Sequence, residues 1–397
     1  MINYPENVKK IAKILSNAGY SAYAVGGCVR DSVIGRTPGD WDMTTSARPN
    51  EMLDVFAAAN VRTIPTGLKH GTVSILLDGV TYECTSFRID GSYTDARHPD
   101  KVTFTTNVED DLRRRDFTVN AMAADPLSSD ESAGIIDLFG GREDLKNKII
   151  RCVGDPEERF REDALRILRA VRFAATLGFE IEENTKKAAA KMRDGLALVS
   201  AERKRVELEK TLLCDNADYG ISLLFELGLA QFIHKDLKMP CIPVDSLPRS
   251  FTLRLAALFG VDSDPKLSSM KLSREQDLQV TRYCHTSNRI KALEPTPQNA
   301  RLILCLLGEI AENWALLRQK PELARVISEE RAKDPCVTVG QLAVKGIDLV
   351  IAGIAPIDRS GVMYMLLNAV IEDPSLNDHD TLMEMVNNYY GKRSDTE

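Results

Sequence analysis

An α/β head followed by an all-α remainder is the fold class that the sequence predicts, and three observations predict it. Short runs of strand type are confined to about the first 150 of the 397 residues. Beyond that point strand patterns almost vanish and helical periods take over. The length suits two or three domains at roughly 150 residues each. The balance of 44% apolar to 27% charged residues is that of a folded chain, which argues against disorder and fibrous repeats.

Taken in order, Pro5 to Ser16 places Val8, Ile11, Ile14 and Leu15 at helical spacing and stops at Asn17 and Gly19. Ser21 to Val25 reads as a strand that runs into Gly26-Gly27. Further strands are expected at Thr72–Leu77, Val80–Phe87 and Lys101–Thr105, with Asp78-Gly79 as the hairpin turn between the first two. Asp155-Pro156 reads as a helix cap followed by proline at the first helical position, with Glu157 and Glu158 favoured by the helix dipole. That helix is expected to continue to about Leu177, where Gly178 can stop it. Another starts near Ser200 and runs to about Leu213. Prolines at 240, 243, 248, 295 and 297 mark loops between later helices, and no repeat of fixed period is present.

No apolar run approaches the ~18–20 residues that cross a bilayer, and the N-terminus lacks a basic-then-apolar signal. A cytoplasmic protein with no membrane partner is therefore expected. The eight cysteines are scattered, with no Cys-x-x-Cys, and read as reduced, mostly buried thiols rather than a zinc site or disulfide framework. Net charge is −7, from 51 basic and 58 acidic residues. Spread evenly, that charge would argue against a nucleic-acid partner.

Four segments carry chemistry. In Val25-Gly26-Gly27-Cys28-Val29-Arg30-Asp31 a glycine pair follows a strand and precedes a helix, which allows close backbone approach to an anion with Arg30 as a further contact. A plain turn remains the alternative. In Asp40-Trp41-Asp42, a strand would stand both carboxylates on one face, with Trp41 opposite. Like charges so placed call for a shared cation or proton, and Mg²⁺ suits oxygen ligands that include substrate phosphates. Glu83, on the strand from Val80, could add a third carboxylate; a solvated loop pair is the alternative. Arg113-Arg114-Arg115-Asp116, with Asn120 just ahead of an apolar run, reads either as part of a site or as a solvated helix face beside Glu109, Asp110 and Asp111.

The fourth segment is Glu162-Asp163-Ala164-Leu165-Arg166, continued by Arg169 and Arg172. Its plain reading is an i,i+4 ion pair of Glu162 with Arg166. Its sharper reading is a row facing a nucleotide base. An acceptor carboxylate on Asp163 beside a donor guanidinium on Arg166 complements cytosine, with its N4 amine and N3, and adenine, with its N6 amine and N1. Guanine and uracil present a carbonyl where Asp163 needs a donor. From Arg161 to Arg172, four arginines face two acids, so the charge is not evenly spread.

In their order and spacing, Gly26-Gly27-Cys28-Val29-Arg30-Asp31, Asp40-x-Asp42, Arg114-Arg115-Asp116-x-x-x-Asn120 and Glu162-Asp163-x-x-Arg166 resemble the motifs of bacterial class II tRNA nucleotidyltransferases. These are the CCA-adding enzymes of the polymerase β-like superfamily. The resemblance is strong over about residues 20–215 and rests beyond them on length and helical character; Cys28 stands where relatives often have alanine. It implies a polymerase β-like head with a mixed sheet over residues 1–150, a helical neck for base recognition over 151–215, a body over 216–335 and a tRNA-binding tail over 336–397.

The implied activity is untemplated addition of C, C and A to tRNA 3′ ends from CTP and ATP, with two Mg²⁺ ions. On matching positions Asp40 and Asp42 bind metal, and Glu83 stands at the third carboxylate position. Gly26, Gly27 and Arg30 hold the triphosphate, while Arg115, Asp116, Asn120, Asp163, Arg166, Arg169 and Arg172 line the nucleotide pocket. The segment Asp90 to Pro99 looks like the flexible loop that CC-adding relatives lose, which disfavours CC-only addition but does not separate CCA-adding from A-adding enzymes. A bacterial poly(A) polymerase is the next alternative. Arg203, Lys204, Arg205, Lys345 and Arg359 are read either as tRNA phosphate contacts or as exposed helix charges. The turn Gly67–Gly71 is read as a phosphate-contacting loop or a strand entry.

Overall fold

The computed structural model describes residues 2–91, 102–129, 134–285, 290 and 292–394. The chain divides into two compact units, one of residues 1–237 with 269–271 and one of residues 238–268 with 272–397.

The first unit is built on a seven-stranded mixed sheet. Its strands are β1 (Ala22–Val25), β2 (Met43–Thr45), β3 (Arg62–Gly67), β4 (Thr72–Leu77), β5 (Val80–Ser86), and, after the hairpin β6 (Arg88–Asp90) and β7 (Val102–Phe104), β8 (Met122–Ala124) and β9 (Ile135–Asp137). The spatial order is β3-β4-β5-β2-β1-β8-β9, with β2 and β5 parallel and the other neighbours antiparallel. Asp78 and Gly79 both take positive φ between β4 and β5, as the Asp-Gly hairpin signal requires. One face of the sheet is covered by α1 (Glu6–Asn17) and α3 (Pro49–Ala58). Their Val8, Ile11, Leu15, Met52 and Phe56 are fully buried with Val73 and Ile75 of β4. Each such side chain contributes about 1.5–3 kcal/mol.

Between β1 and β2 lies α2 (Gly27–Val33), and α4 (Val108–Arg113) precedes β8. After α5 (Gly141–Asn147) come α6 (Pro156–Glu162), α7 (Leu165–Leu177), α8 (Glu183–Met192) and α9 (Ala201–Leu212), with α7 packed on α9. Asp155 caps α6 by accepting from the Glu157 and Glu158 N–H groups at 2.7 and 3.1 Å, and Gly178 ends α7 with a φ of 70°. The single helix expected from Asp155 to Leu177 is two helices. Asp163 leaves the helical region at φ −146°, ψ 102°, and its own carboxylate accepts from the Leu165 N–H at 3.0 Å, restarting the helix. A short polar side chain that can cap the next turn competes with helix continuation.

The second unit is helical. Its longer helices span Phe251–Phe259, Arg274–Cys284, Pro297–Leu307, Pro321–Arg331, Pro356–Glu372 and His379–Ser394. Inside it, Arg301 pairs with buried Glu330 at 2.9 Å and donates to the Ile371 carbonyl at 2.8 Å. Trp314 is fully buried, with the Arg318 guanidinium 4.3 Å from its ring centroid. Lys345 and Arg359 are turned onto backbone: Lys345 donates to the Leu342 carbonyl at 2.7 Å and Arg359 to that of Ile354 at 2.9 Å. Among the described residues no helix is long and apolar enough to cross a membrane. All eight cysteines are free; Cys28, Cys84, Cys152 and Cys284 are buried, whereas Cys241 is exposed.

Candidate active site

The floor of the site is set by strand register. Met43 of β2 lies beside Cys84 of β5, both facing the covered side. One residue earlier on each parallel strand, Asp42 and Glu83 therefore stand together on the opposite side, where both are exposed. Asp40 and Asp42 precede β2 rather than lying within it. The Asp42 carbonyl nevertheless accepts from the Val25 N–H at 3.0 Å, so the segment runs extended along β1. Trp41 packs on Tyr4 with ring centroids 5.5 Å apart.

Although its side chain is open to solvent, Asp42 is pushed up to about 6. Crowding by surrounding protein leads, then the like charges of Asp40 and Glu83, with Arg115 opposing. Burial and the Asp42 charge push the Cys28 thiol up to about 11, which keeps it out of nucleophilic chemistry. A crowded carboxylate pair with a third acid nearby fits a hard divalent cation. Among the described residues no three His, Cys, Asp or Glu side chains form a ready metal cage.

Beside this floor stands the glycine turn. Gly26 has φ 80° and ψ −127°, and a Cβ there would meet Arg115 Nη1 at 3.0 Å, so the position needs glycine on two counts. Arg115 is aimed there by Asp111, a carboxylate with no exposure. Asp111 accepts from Arg114 Nη2 at 2.7 Å, from Arg115 Nη2 at 3.2 Å and from Thr44 Oγ1 at 3.3 Å. Burial alone would raise Asp111; the two guanidiniums outweigh it and hold the group below its ordinary value. Only Arg113 of the three arginines belongs to a solvated helix face, pairing with Glu109.

A second set of groups forms a continuous chain. Arg30 donates to both Asp31 oxygens at 2.8 and 3.0 Å and to Asn120 Oδ1 at 2.6 Å. Asn120 donates to Asp116 at 3.3 Å, and Arg169 Nε donates to Asp116 at 2.8 Å. Arg172 lies 2.7 Å from Glu207 of α9. Arg30, Arg169 and Arg172 all stand over the Phe173 ring, at 5.3, 5.3 and 4.0 Å. Burial opposes ionisation of Asp116, but the charge and hydrogen bond of Arg169 prevail and lower it to about 2.

Asp163 and Arg166 are not paired with each other. Arg166 makes the i,i+4 pair expected of it: Nη1 donates to Glu162 at 2.6 Å, and Nη2 reaches the Arg114 carbonyl at 3.1 Å. Asp163 instead takes Arg203 of α9, at 2.7 and 3.3 Å. The break after α6 separates the two residues that an unbroken helix would have stacked. Lys204 donates to the Leu196 carbonyl at 3.2 Å and Arg205 to Glu209 at 3.1 Å, so neither is a bare surface charge. Asp111, Glu207 and Phe173 were missed in the sequence. The i,i+3 and i,i+4 spacing of Asp111 to Arg114 and Arg115 was a usable signal; Glu207 offered none.

Residues 68–70 form a single helical turn between β3 and β4, and Arg88 donates to the His70 carbonyl. Residues 92–99 of the expected flexible loop lie outside the described residues. A cleft of about 380 Å³ opens near Ser16, Tyr20, Tyr23 and Asp125, away from the carboxylates.

Residues 22–151 match the family described as "Poly A polymerase head domain", and residues 178–239 match that described as "Probable RNA and SrmB- binding site of polymerase A". The chain is 36% identical over 393 residues, 94% of each chain, to the CCA-adding enzyme of Leuconostoc mesenteroides. It is 48% identical over 217 residues, 55% of this chain and 52% of the other, to that of Bacillus velezensis. The crystal structure of the Bacillus stearothermophilus CCA-adding enzyme in complex with CTP superposes at a TM-score of 0.80, with 32% identity, over 98% of this chain and 100% of that one. The Thermotoga maritima enzyme complexed with tRNA superposes at 0.70 over 98% of this chain and 97% of that one, and at 20% identity shares the fold.

Proposed function

The chain belongs to the family of CCA-adding enzymes, and on that premise we propose that it adds C, C and A to tRNA 3′ ends from CTP and ATP, releasing pyrophosphate. The observation that carries this reading is the placement of Asp40, Asp42 and Glu83 beside the Gly26–Gly27 turn in the same compact unit as the charged row of α6, α7 and α9.

In this proposal Asp40 and Asp42 would hold Mg²⁺ together with the substrate phosphates. So held, the ion would supply a lowered pKa at the tRNA 3′-hydroxyl and neutralisation of charge on the leaving pyrophosphate. Gly26 and Gly27 let the triphosphate approach the backbone, and Arg30 and Arg115 flank it as cations. Asp116 and Asn120 fix Arg30 and Arg169 in place. Asp163 accepts from the exocyclic amine of cytosine or adenine while Arg166 donates to the adjacent ring nitrogen. Binding of tRNA is local and shape-led, because the arginines of the row are already matched by internal acids.

Transcripts ending at the discriminator base, at C, or at CC test the reading directly. CTP alone should add two residues, one and none; ATP should add one to the CC end. Incorporation of A alone would assign the chain to A-adding enzymes, and a long A tail to poly(A) polymerases. For base selection, Asp163→Ala should lose discrimination against UTP and GTP in single-nucleotide incorporation. Retained selectivity for C and A in that variant would overturn the assignment of Asp163.

A further inference from the structure

We propose that Arg203 is a positioning residue for base selection: its guanidinium holds the Asp163 carboxylate so that one acceptor direction is left for the incoming base. The proposal deepens the reading of Asp163 given above and rests on it.

Arg203 sits in the first turn of α9, capped by Ser200, and is separated from Asp163 by 40 residues of sequence. Lys204 and Arg205, its neighbours, are engaged within their own surroundings, whereas Arg203 reaches across to the break between α6 and α7. Its Nη2 lies 2.7 Å from Asp163 Oδ2 and its Nη1 lies 3.3 Å from Oδ1. Oδ1 also accepts from the Leu165 N–H at 3.0 Å.

An ionised carboxylate offers about four acceptor directions. Three of Asp163 are taken, two on Oδ1 and one on Oδ2, which leaves one on Oδ2. The side chain retains 15% of its exposure, enough for a base edge to reach it.

That count has a consequence for selectivity. The terminal torsion of an aspartate is broad, so an unclamped carboxylate can turn. A turned carboxylate with spare acceptor directions collects water. A water held there can donate to the O4 of uracil or the O6 of guanine, which converts a site that rejects these bases into one that tolerates them. The two parallel N–H donors of Arg203 remove both freedoms at once, fixing the plane of the carboxylate and filling the positions that water would take.

The test compares kcat/KM for CTP and UTP on a transcript ending at the discriminator base. Arg203→Ala should lower the CTP-to-UTP ratio about tenfold or more, the size of one well-made base contact. Arg203→Lys keeps the charge but not the paired donors and should fall between that variant and wild type. It also carries the test should Arg203→Ala fail to fold. The double variant Asp163→Ala with Arg203→Ala should match Asp163→Ala alone in selectivity, because both changes act through one carboxylate. A wild-type ratio in both Arg203 variants, with selectivity lost in Asp163→Ala, would overturn the role of Arg203 alone. A wild-type ratio in Asp163→Ala would overturn the base-reading assignment and this proposal with it. Independent, multiplying effects in the double variant would make Arg203 a general structural contact and overturn the proposal.

Discussion

Asp42→Ala is expected to abolish nucleotide incorporation and to leave the protein folded. The expected loss is at least about a thousandfold in kcat, because metal-borne stabilisation of transition-state charge is worth several kcal/mol and each 1.36 kcal/mol is tenfold. Thermal stability should stay level or rise. The Asp42 side chain is exposed, makes no ion pair among the described residues comparable to that of Asp111, and is repelled by Asp40 and Glu83. Removing a group that its neighbours disfavour costs the fold little, and sites arranged for chemistry often carry such a penalty. Single-turnover extension of a transcript ending in C, run beside a thermal melt, checks both halves. Substantial activity in a folded variant would sink the placing of the metal on Asp42.

Asp116→Ala should have the opposite signature, a large loss of stability. Asp116 is 8% exposed and lies against Arg169, Asn120 and the Phe117 N–H. Removing one member of a buried pair strands the other, at about 3–5 kcal/mol. That corresponds to a fall in Tm on the order of 10 °C for a unit of this size. An unchanged Tm would mean that Arg169 turns to Glu207, already 3.9 Å away, and that the Asp116 contact is not needed. The acid limb of the stability curve gives a second readout. Asp116 stands at about 2 in the fold against 3.8 ordinarily. A depressed carboxylate stabilises the fold above its unfolded value, and that gain fades as pH falls from about 4 through 2. The gain is roughly 2 kcal/mol. Asp116→Asn should remove this part of the acid dependence.

What could be read in the sequence follows the distance over which each cause acts. Helix α1, strands β4 and β5 and the Asp-Gly turn were legible because periodicity and turn chemistry act within a few residues. The cap at Asp155 and the helix start near Ser200 were legible for the same reason. The two aspartates flanking Trp41 could be singled out, yet Glu83 was placed beside them only by the parallel pairing of β2 with β5. The arginines were the hardest to assign. Arg166 followed its local i,i+4 rule, whereas Arg169, Arg172 and Arg203 chose acids 35 to 53 residues away. Charge partners brought together by helix packing leave no trace in local spacing, whereas the restart at Asp163 rests on a local cap to the Leu165 N–H that went unread.

The ring contact of Tyr4 with Trp41 has an optical consequence. The chain has two tryptophans, and each compact unit holds one. Trp41, flanked in sequence by Asp40 and Asp42, is half-buried in the first unit; Trp314 is fully buried in the second. Intrinsic emission is therefore a two-channel signal in which a wetter, redder component belongs to the segment of Asp40 and Asp42 and a drier, bluer one to the helical unit. Replacing Trp314 by phenylalanine leaves a spectrum whose only tryptophan stands between Asp40 and Asp42, so a label-free fluorescence titration with metal or nucleotide reads the site itself.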